Sequence, residues 1–150
     1  MEDISIVSKD VCDKDSQTLI MELNIILTEI TGDDGTVNFS NDDMNQPGSR
    51  FLVAYINEEP YGCGAIRRVS DSVAEIKRVY ARKNQCGVGR KIIDSLEREA
   101  KAFGYSKLVL ETRVQNTHAI EFYGALGYQH CEAYGKYVGK QNAYCFEKLL

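Results

Sequence analysis

The stretch that decides the fold is Val73-Ala-Glu-Ile-Lys-Arg-Val-Tyr-Ala81, followed by Arg82-Lys-Asn-Gln-Cys-Gly87-Val-Gly89-Arg-Lys-Ile-Ile93. The first nine residues are rich in β-branched and aromatic side chains and predict a strand. After the polar stretch Arg82–Cys86, the apolar positions Val88, Ile92, Ile93, Leu96, Ala100 and Phe103 fall on one face of a helix. Gly104 sits where a helix C-cap is expected. Leu108-Val-Leu110, within Ser106–Thr112, reads as a strand buried on both faces. A strand, a helix and a second strand in this order need a parallel crossover.

Working outward, Ile4–Val7 alternates and predicts a first strand, and Asp15–Ile30 carries Leu19, Ile20, Leu23, Ile26 and Leu27 at helical spacing. Thr31–Ser49 is a polar connection with room for one short helical turn. Phe51–Ile56 and Tyr61–Val69 form a hairpin around a turn at Asn57–Pro60. Asn116–Leu126 predicts another helix, closed by Gly127, and Tyr128–Ala133 and Ala143–Leu149 two last strands. The expected architecture is a single α/β domain over 1–150, with a mixed, mostly antiparallel central sheet and helices on both faces.

Composition narrows the function. The chain has 150 residues and 43% hydrophobic residues, enough for a core without disulfides or metals. Cys12, Cys63, Cys86, Cys131 and Cys145 are scattered with no C-x-x-C pair, which argues against a disulfide framework or zinc site and suits a reducing compartment. His118 and His130 lack metal or triad spacing. No basic leader or apolar run long enough for a membrane span occurs, so a cytoplasmic protein without a membrane partner is expected. Residues 1–50 carry eleven acids and three bases, whereas 67–91 hold eight bases against Asp71 and Glu75. A local basic cluster on a chain of net charge −4 favours a small anion over nucleic acid.

Gly87-Val-Gly89 at a helix start supplies that anion site, because backbone N–H groups and the helix dipole favour phosphate there. It is not a Walker A loop, and residue 92 is Ile where a dinucleotide fingerprint needs its third glycine. The wider series is Ala74-Glu-Ile-Lys-Arg-Val-Tyr-Ala-Arg82, Cys86-Gly-Val-Gly-Arg-Lys-Ile-Ile93, Leu96-Glu97, Gly104-Tyr105 and Leu108-Val-Leu-Glu-Thr112. It continues with Asn116, Ala119-Ile120, Phe122-Tyr123 and Leu126-Gly-Tyr128. Over residues 50–150 this series resembles the GNAT superfamily of acetyl-CoA-dependent N-acetyltransferases, and Cys145-Phe-Glu-Lys-Leu149 looks like the last strand of small bacterial members.

The resemblance implies acetyl-CoA as cosubstrate, no metal, and direct acetyl transfer to a primary amine of a small molecule or peptide. It implies cofactor contacts from Val79, Tyr80 and Ala81, from the loop Asn84, Gln85, Cys86, Gly87, Val88, Gly89 and Arg90, and from Asn116. Asn84 stands where the family's loop begins with Arg or Gln, and Gln85 where many members carry glycine. Tyr123 aligns with the tyrosine that serves as general acid, and it also reads as a core aromatic beside Phe122. Glu75 is the candidate general base, and equally reads as a strand carboxylate paired with Lys77 or Arg78. Cys86 carries no covalent role in the family. Asp33, Asp34, Asp42 and Asp43 would attract a cationic amine, and Tyr134 and Tyr137 would wall its pocket. A homodimer through the C-terminal strands is a further family expectation. Two other readings stay open at this point: an acetyl-CoA-sensing domain with little catalysis, and a domain for another nucleotide.

Overall fold

The computed structural model describes residues 3–84 and 86–150. Strands β1 (Ile4–Ser8), β2 (Arg50–Ile56), β3 (Glu59–Arg68), β4 (Val73–Ala81), β5 (Lys107–Arg113), β6 (Gln129–Cys131) and β7 (Ala143–Leu149) form one sheet, ordered β1-β2-β3-β4-β5-β7-β6. Every neighbouring pair is antiparallel except β4 with β5. Helix α1 (Lys14–Thr31) covers one face, while α2 (Val88–Phe103) and α3 (Thr117–Ala125) cover the other.

The expected α2 face is the larger core. Val88, Ile92, Ile93, Leu96 and Ala100 are fully buried against the sheet, and each of the large aliphatics contributes about 1.5–3 kcal/mol on burial. Phe103, expected on that face, instead projects at the rim, where its ring lies under the Arg50 guanidinium at 5.1 Å. On the other face α1 buries Ser16, Leu19, Ile20 and Leu23 and then overhangs the sheet. Ile26, expected in the core, is therefore 37% exposed.

Three local outcomes depart from the sequence expectation. The β2–β3 turn is only Asn57-Glu58, both at positive φ (51° and 68°), so the mirror-image hairpin turn forms without glycine. The polar connection holds two 3-10 turns, Thr36–Asn38 and Asn41–Asn45. The strand expected over Tyr128–Ala133 pairs only across Gln129–Cys131.

Close approach of α2 to the sheet depends on β3. A Cβ on Gly62 would lie 2.7 Å from both the Tyr80 carbonyl oxygen and Ile92 Cδ1. The carbonyl belongs to β4 and cannot yield without moving the strand. Gly62→Ala is expected to lower the unfolding free energy by about 1–3 kcal/mol, read as a lower urea midpoint at unchanged slope.

Candidate functional site

Strands β4 and β5 hydrogen-bond only at their beginnings, where Val73, Ala74 and Glu75 face Lys107, Leu108 and Val109. Beyond that point β5 stays with β7 and β4 with β3, so the two parallel strands part. A bulge sits at the parting: two residues of β4, Arg78 and Val79, oppose the single Gly64 of β3, and Arg78 takes φ 57°. Arg78 is held there by its side chain. Its guanidinium donates to the Asp34 carbonyl at 3.0 Å and to the Asn24 side chain, and it lies 5.8 Å from the Phe39 ring. The resulting cleft runs from α1 and the Asp33–Asn38 segment, between the strands, to α3.

At the α3 end the expected cofactor residues divide into groups. Val79 and Asn116 line the cleft. Asn116 also caps α3, accepting the Ala119 N–H at 3.2 Å. Ala81 remains paired with Gly62, and Tyr80 turns its hydroxyl to Glu22 at 2.8 Å, away from the cleft. In the loop, Gly87 takes φ 72° and its α-hydrogens face open space, so a phosphate can approach the backbone. Gly87 is the N-cap of α2 and has no side chain with which to cap it. Gly89 packs instead against Phe122, whose ring would lie 3.3 Å from an added Cβ. Val88 is core, Cys86 packs partly against it, and Arg90 is exposed.

Asn84 works within the loop. Its Oδ1 accepts the Cys86 N–H at 2.9 Å and the Val88 N–H at 3.3 Å, and its amide donates to the Arg82 carbonyl at 2.7 Å. This short side chain fixes the turn and occupies two amides that could otherwise face an anion. Gln85, expected in the same cradle, lies outside the described residues. Of the eight bases at 67–91, Arg67, Arg68, Arg78 and Arg82 are bound to protein groups. Lys83, Arg90 and Lys91 are exposed around the loop without an acidic partner among the described residues. The loop therefore fits a pyrophosphate by its open glycine, the remaining amides and dipole of the α2 N-terminus, and the exposed bases around it.

Tyr123 reaches the cleft from α3. Its ring packs edge-on to Phe122 and Tyr128, with centroids 5.1 and 5.7 Å away. Burial pushes its phenol well above the usual value, so the hydroxyl stays protonated and available as a donor. Tyr123 is thus a core aromatic that also lines the cleft.

Glu75 is 3% exposed and does not line the cleft. One of its oxygens accepts from Arg67 at 2.8 and 2.9 Å, and the other from the Tyr134 hydroxyl at 2.6 Å. Arg67 is bridged in turn to Asp43 at 2.7 Å. The expected pairing of Glu75 with Lys77 or Arg78 is replaced by this Arg67 pairing, because Arg67 is its cross-strand neighbour.

Glu111, unremarked in the sequence, does line the cleft. Its buried Oε2 lacks a hydrogen bond and stands 3.6 Å from Arg113 Nε. Burial pushes its carboxyl above the usual value, opposed by the charges of Arg113 and Lys77 and reinforced by Glu75. Its signal in sequence was a lone acid ending an otherwise apolar run, Leu108-Val-Leu110. Among the four early acids, Asp33 is paired with Arg113 at 3.0 Å, Asp34 bonds Thr36, and Asp43 holds Arg67. Of the four only Asp33 lines the cleft, and its charge is already paired with Arg113.

Among the described residues no group of three or more His, Cys, Asp or Glu could hold a metal, and no helix is long and apolar enough to cross a membrane.

The acetyltransferase (GNAT) family profile matches residues 20–128. An IAA acetyltransferase of Azospirillum brasilense is 31% identical over 122 residues, covering 79% of this chain and 80% of that protein. The N-acetyltransferase YsnE of Bacillus subtilis, itself uncharacterized, is 30% identical over 71% of this chain and 74% of its own. Among solved structures, a Klebsiella pneumoniae protein described as an acyl-CoA N-acyltransferase superposes with TM-score 0.82 at 25% identity, over 98% of this chain and 97% of its own. A GNAT family acetyltransferase from Elizabethkingia anophelis with acetyl-CoA bound shares the fold at TM-score 0.72 and 15% identity, with 98% of each chain covered. A glycine cradle at a helix start beside two parting parallel strands thus accompanies a family match over most of the chain, and the protein belongs to the GNAT family as an acetyl-CoA-dependent acetyltransferase.

Proposed function

We propose that the chain transfers the acetyl group of acetyl-CoA directly to a primary amine, with donor and acceptor bound together, Glu111 as general base and Tyr123 as general acid. The observation that carries this reading is that Glu111, whose buried Oε2 lacks a hydrogen bond, and Tyr123, whose phenol is buried, both line one cleft. The pyrophosphate rests on the loop 86–90, and the pantetheine arm lies along the unpaired edge of β4. The Val79 N–H is assigned to the acetyl carbonyl and Asn116 to the arm. The acceptor enters from the α1 side, as a small-molecule or peptide amine.

In this scheme the amine nitrogen attacks the acetyl carbon, its surplus proton passes to Glu111, directly or through water, and the carbon–sulfur bond breaks. Tyr123 gives its proton to the departing thiolate and recovers one from solvent. Burial holds the Tyr123 phenol above its ordinary value, so it keeps its proton until negative charge develops on the departing sulfur beside it. Glu111 is preferred to Glu75 as base because Glu75 already accepts hydrogen bonds at both oxygens.

Two measurements test these roles. A base with a raised pKa must be ionised to act, so kcat/KM is expected to rise with pH through an ionisation above the ordinary carboxylate range. Glu111→Gln should abolish that ionisation and lower kcat about 100-fold or more, while calorimetry shows unchanged CoA affinity. Persistence of the limb in Glu111→Gln, with its loss in Glu75→Gln, would return the base to Glu75. Tyr123→Phe should lower kcat about 10- to 100-fold and keep CoA affinity. An unaltered kcat in that variant removes Tyr123 from the chemistry.

A further inference from the structure

Beyond the amine itself, the α1 side of the cleft contains a cation, Lys77, that has no ion-pair partner among the described residues. Lys77 follows Glu75 by two residues on β4, and Glu111 follows Val109 by two on β5. Glu75 and Val109 are the last paired residues of the two strands. By the two-residue period of a strand, Lys77 and Glu111 face each other across the opening, on the face covered by α1. Both line the cleft.

The Lys77 ammonium donates to the Tyr137 hydroxyl at 3.1 Å and lies 5.8 Å from that ring. Among the described residues no carboxylate is within ion-pair distance of it. Arg113, the other cation of the cleft wall, is already held by Asp33 at 3.0 Å and lies beside Glu111. Glu75, the nearest acid on the same strand, is taken up by Arg67 and Tyr134. A cation removed from water without a counter-ion is costly, and a ligand that brings the missing negative charge recovers that cost. Burial, helped by the charges of Arg67 and Lys136 and opposed by those of Glu75 and Glu111, pushes the Lys77 ammonium down to about 8. It therefore remains mostly charged at neutral pH.

We infer that the acceptor is an amino acid or a similar amine bearing a carboxylate, bound as a zwitterion with its carboxylate on Lys77 and its amine towards Glu111. The inference rests on the transferase reading above and adds the identity of the second group on the substrate. The two protein charges are too far apart to pair with each other yet each lies in the other's field. A zwitterion placed between them satisfies both. A simple cationic amine would leave Lys77 unpaired and place a second positive charge in its field.

The test is acetyl-CoA turnover by the full chain across matched acceptors: several free amino acids, their amides, and the corresponding decarboxylated amines. The free amino acids should show kcat/KM about 10- to 100-fold above their amides and decarboxylated partners, carried mainly by KM. Lys77→Met should erase most of that preference, raising KM for the amino acid far more than for its amide, with KM for acetyl-CoA unaffected. Equal use of amino acids and amides by the wild type, or preference for the decarboxylated amines, overturns the inference and leaves the transferase reading standing. A Lys77→Met enzyme that retains the full preference overturns it equally. Calorimetric binding of CoA without acetylation of any amine in the panel overturns the transferase reading and the inference together. If Lys77→Met fails to fold, the wild-type panel alone decides.

Discussion

Everything at this site depends on how briefly β4 and β5 stay paired. Three residues on each strand are in register, and then the parallel ladder stops. Interrupting a ladder in the middle of a sheet leaves backbone donors and acceptors without partners, a state that buried backbone rarely tolerates. Each strand keeps one neighbour, β3 for β4 and β7 for β5, so the sheet survives the break. The unpaired inner edge of β4 is then available to an extended chain carrying its own amides. Acetyl-CoA has such an arm. The bulge at Arg78 and the absence of side chains at Gly62 and Gly64 let α2 press against the sheet just beside the break.

The break also explains where the charges fall. Because residues alternate across a strand, Glu75 and Lys77 share the α1 face, as do Val109 and Glu111. Glu75 lies at the last paired rung, where Arg67 of β3 reaches it, and it becomes part of a satisfied ion network with Asp43 and Tyr134. One step further the strands are apart, and Lys77 and Glu111 lack equally close partners. A one-rung difference in position separates a carboxylate hydrogen-bonded at both oxygens from one whose Oε2 has only the Arg113 guanidinium near it.

The sequence made the frame readable because its signals were local. The β-branched run Val73–Ala81, the 3.6-residue period of α2 and the glycines at its start are contained within thirty residues or so. The site was less legible because its determinants are not local. A positive φ at Arg78 cannot be foreseen in an arginine, since it is imposed by Asn24, Asp34 and Phe39 from far along the chain. The hydrogen bonds of Glu75 were not legible because its partner Arg67 is eight residues away and its partner Tyr134 fifty-nine. Glu111 looked like an ordinary strand end because nothing in Leu108–Thr112 reveals that β4 has left its side. The acids of the first fifty residues were visible, but their internal engagement by Arg67 and Arg113 was not.

The central claim is that the opened edge of β4 and the loop at the start of α2 receive the donor. Residue-resolved amide hydrogen exchange with and without CoA tests this directly. Protection that rises on CoA binding at Val79–Ala81 and at Cys86–Arg90, with little change along β2 and the β1–β2 edge, is the predicted result. Tight CoA binding with no added protection on β4 or in that loop would contradict it.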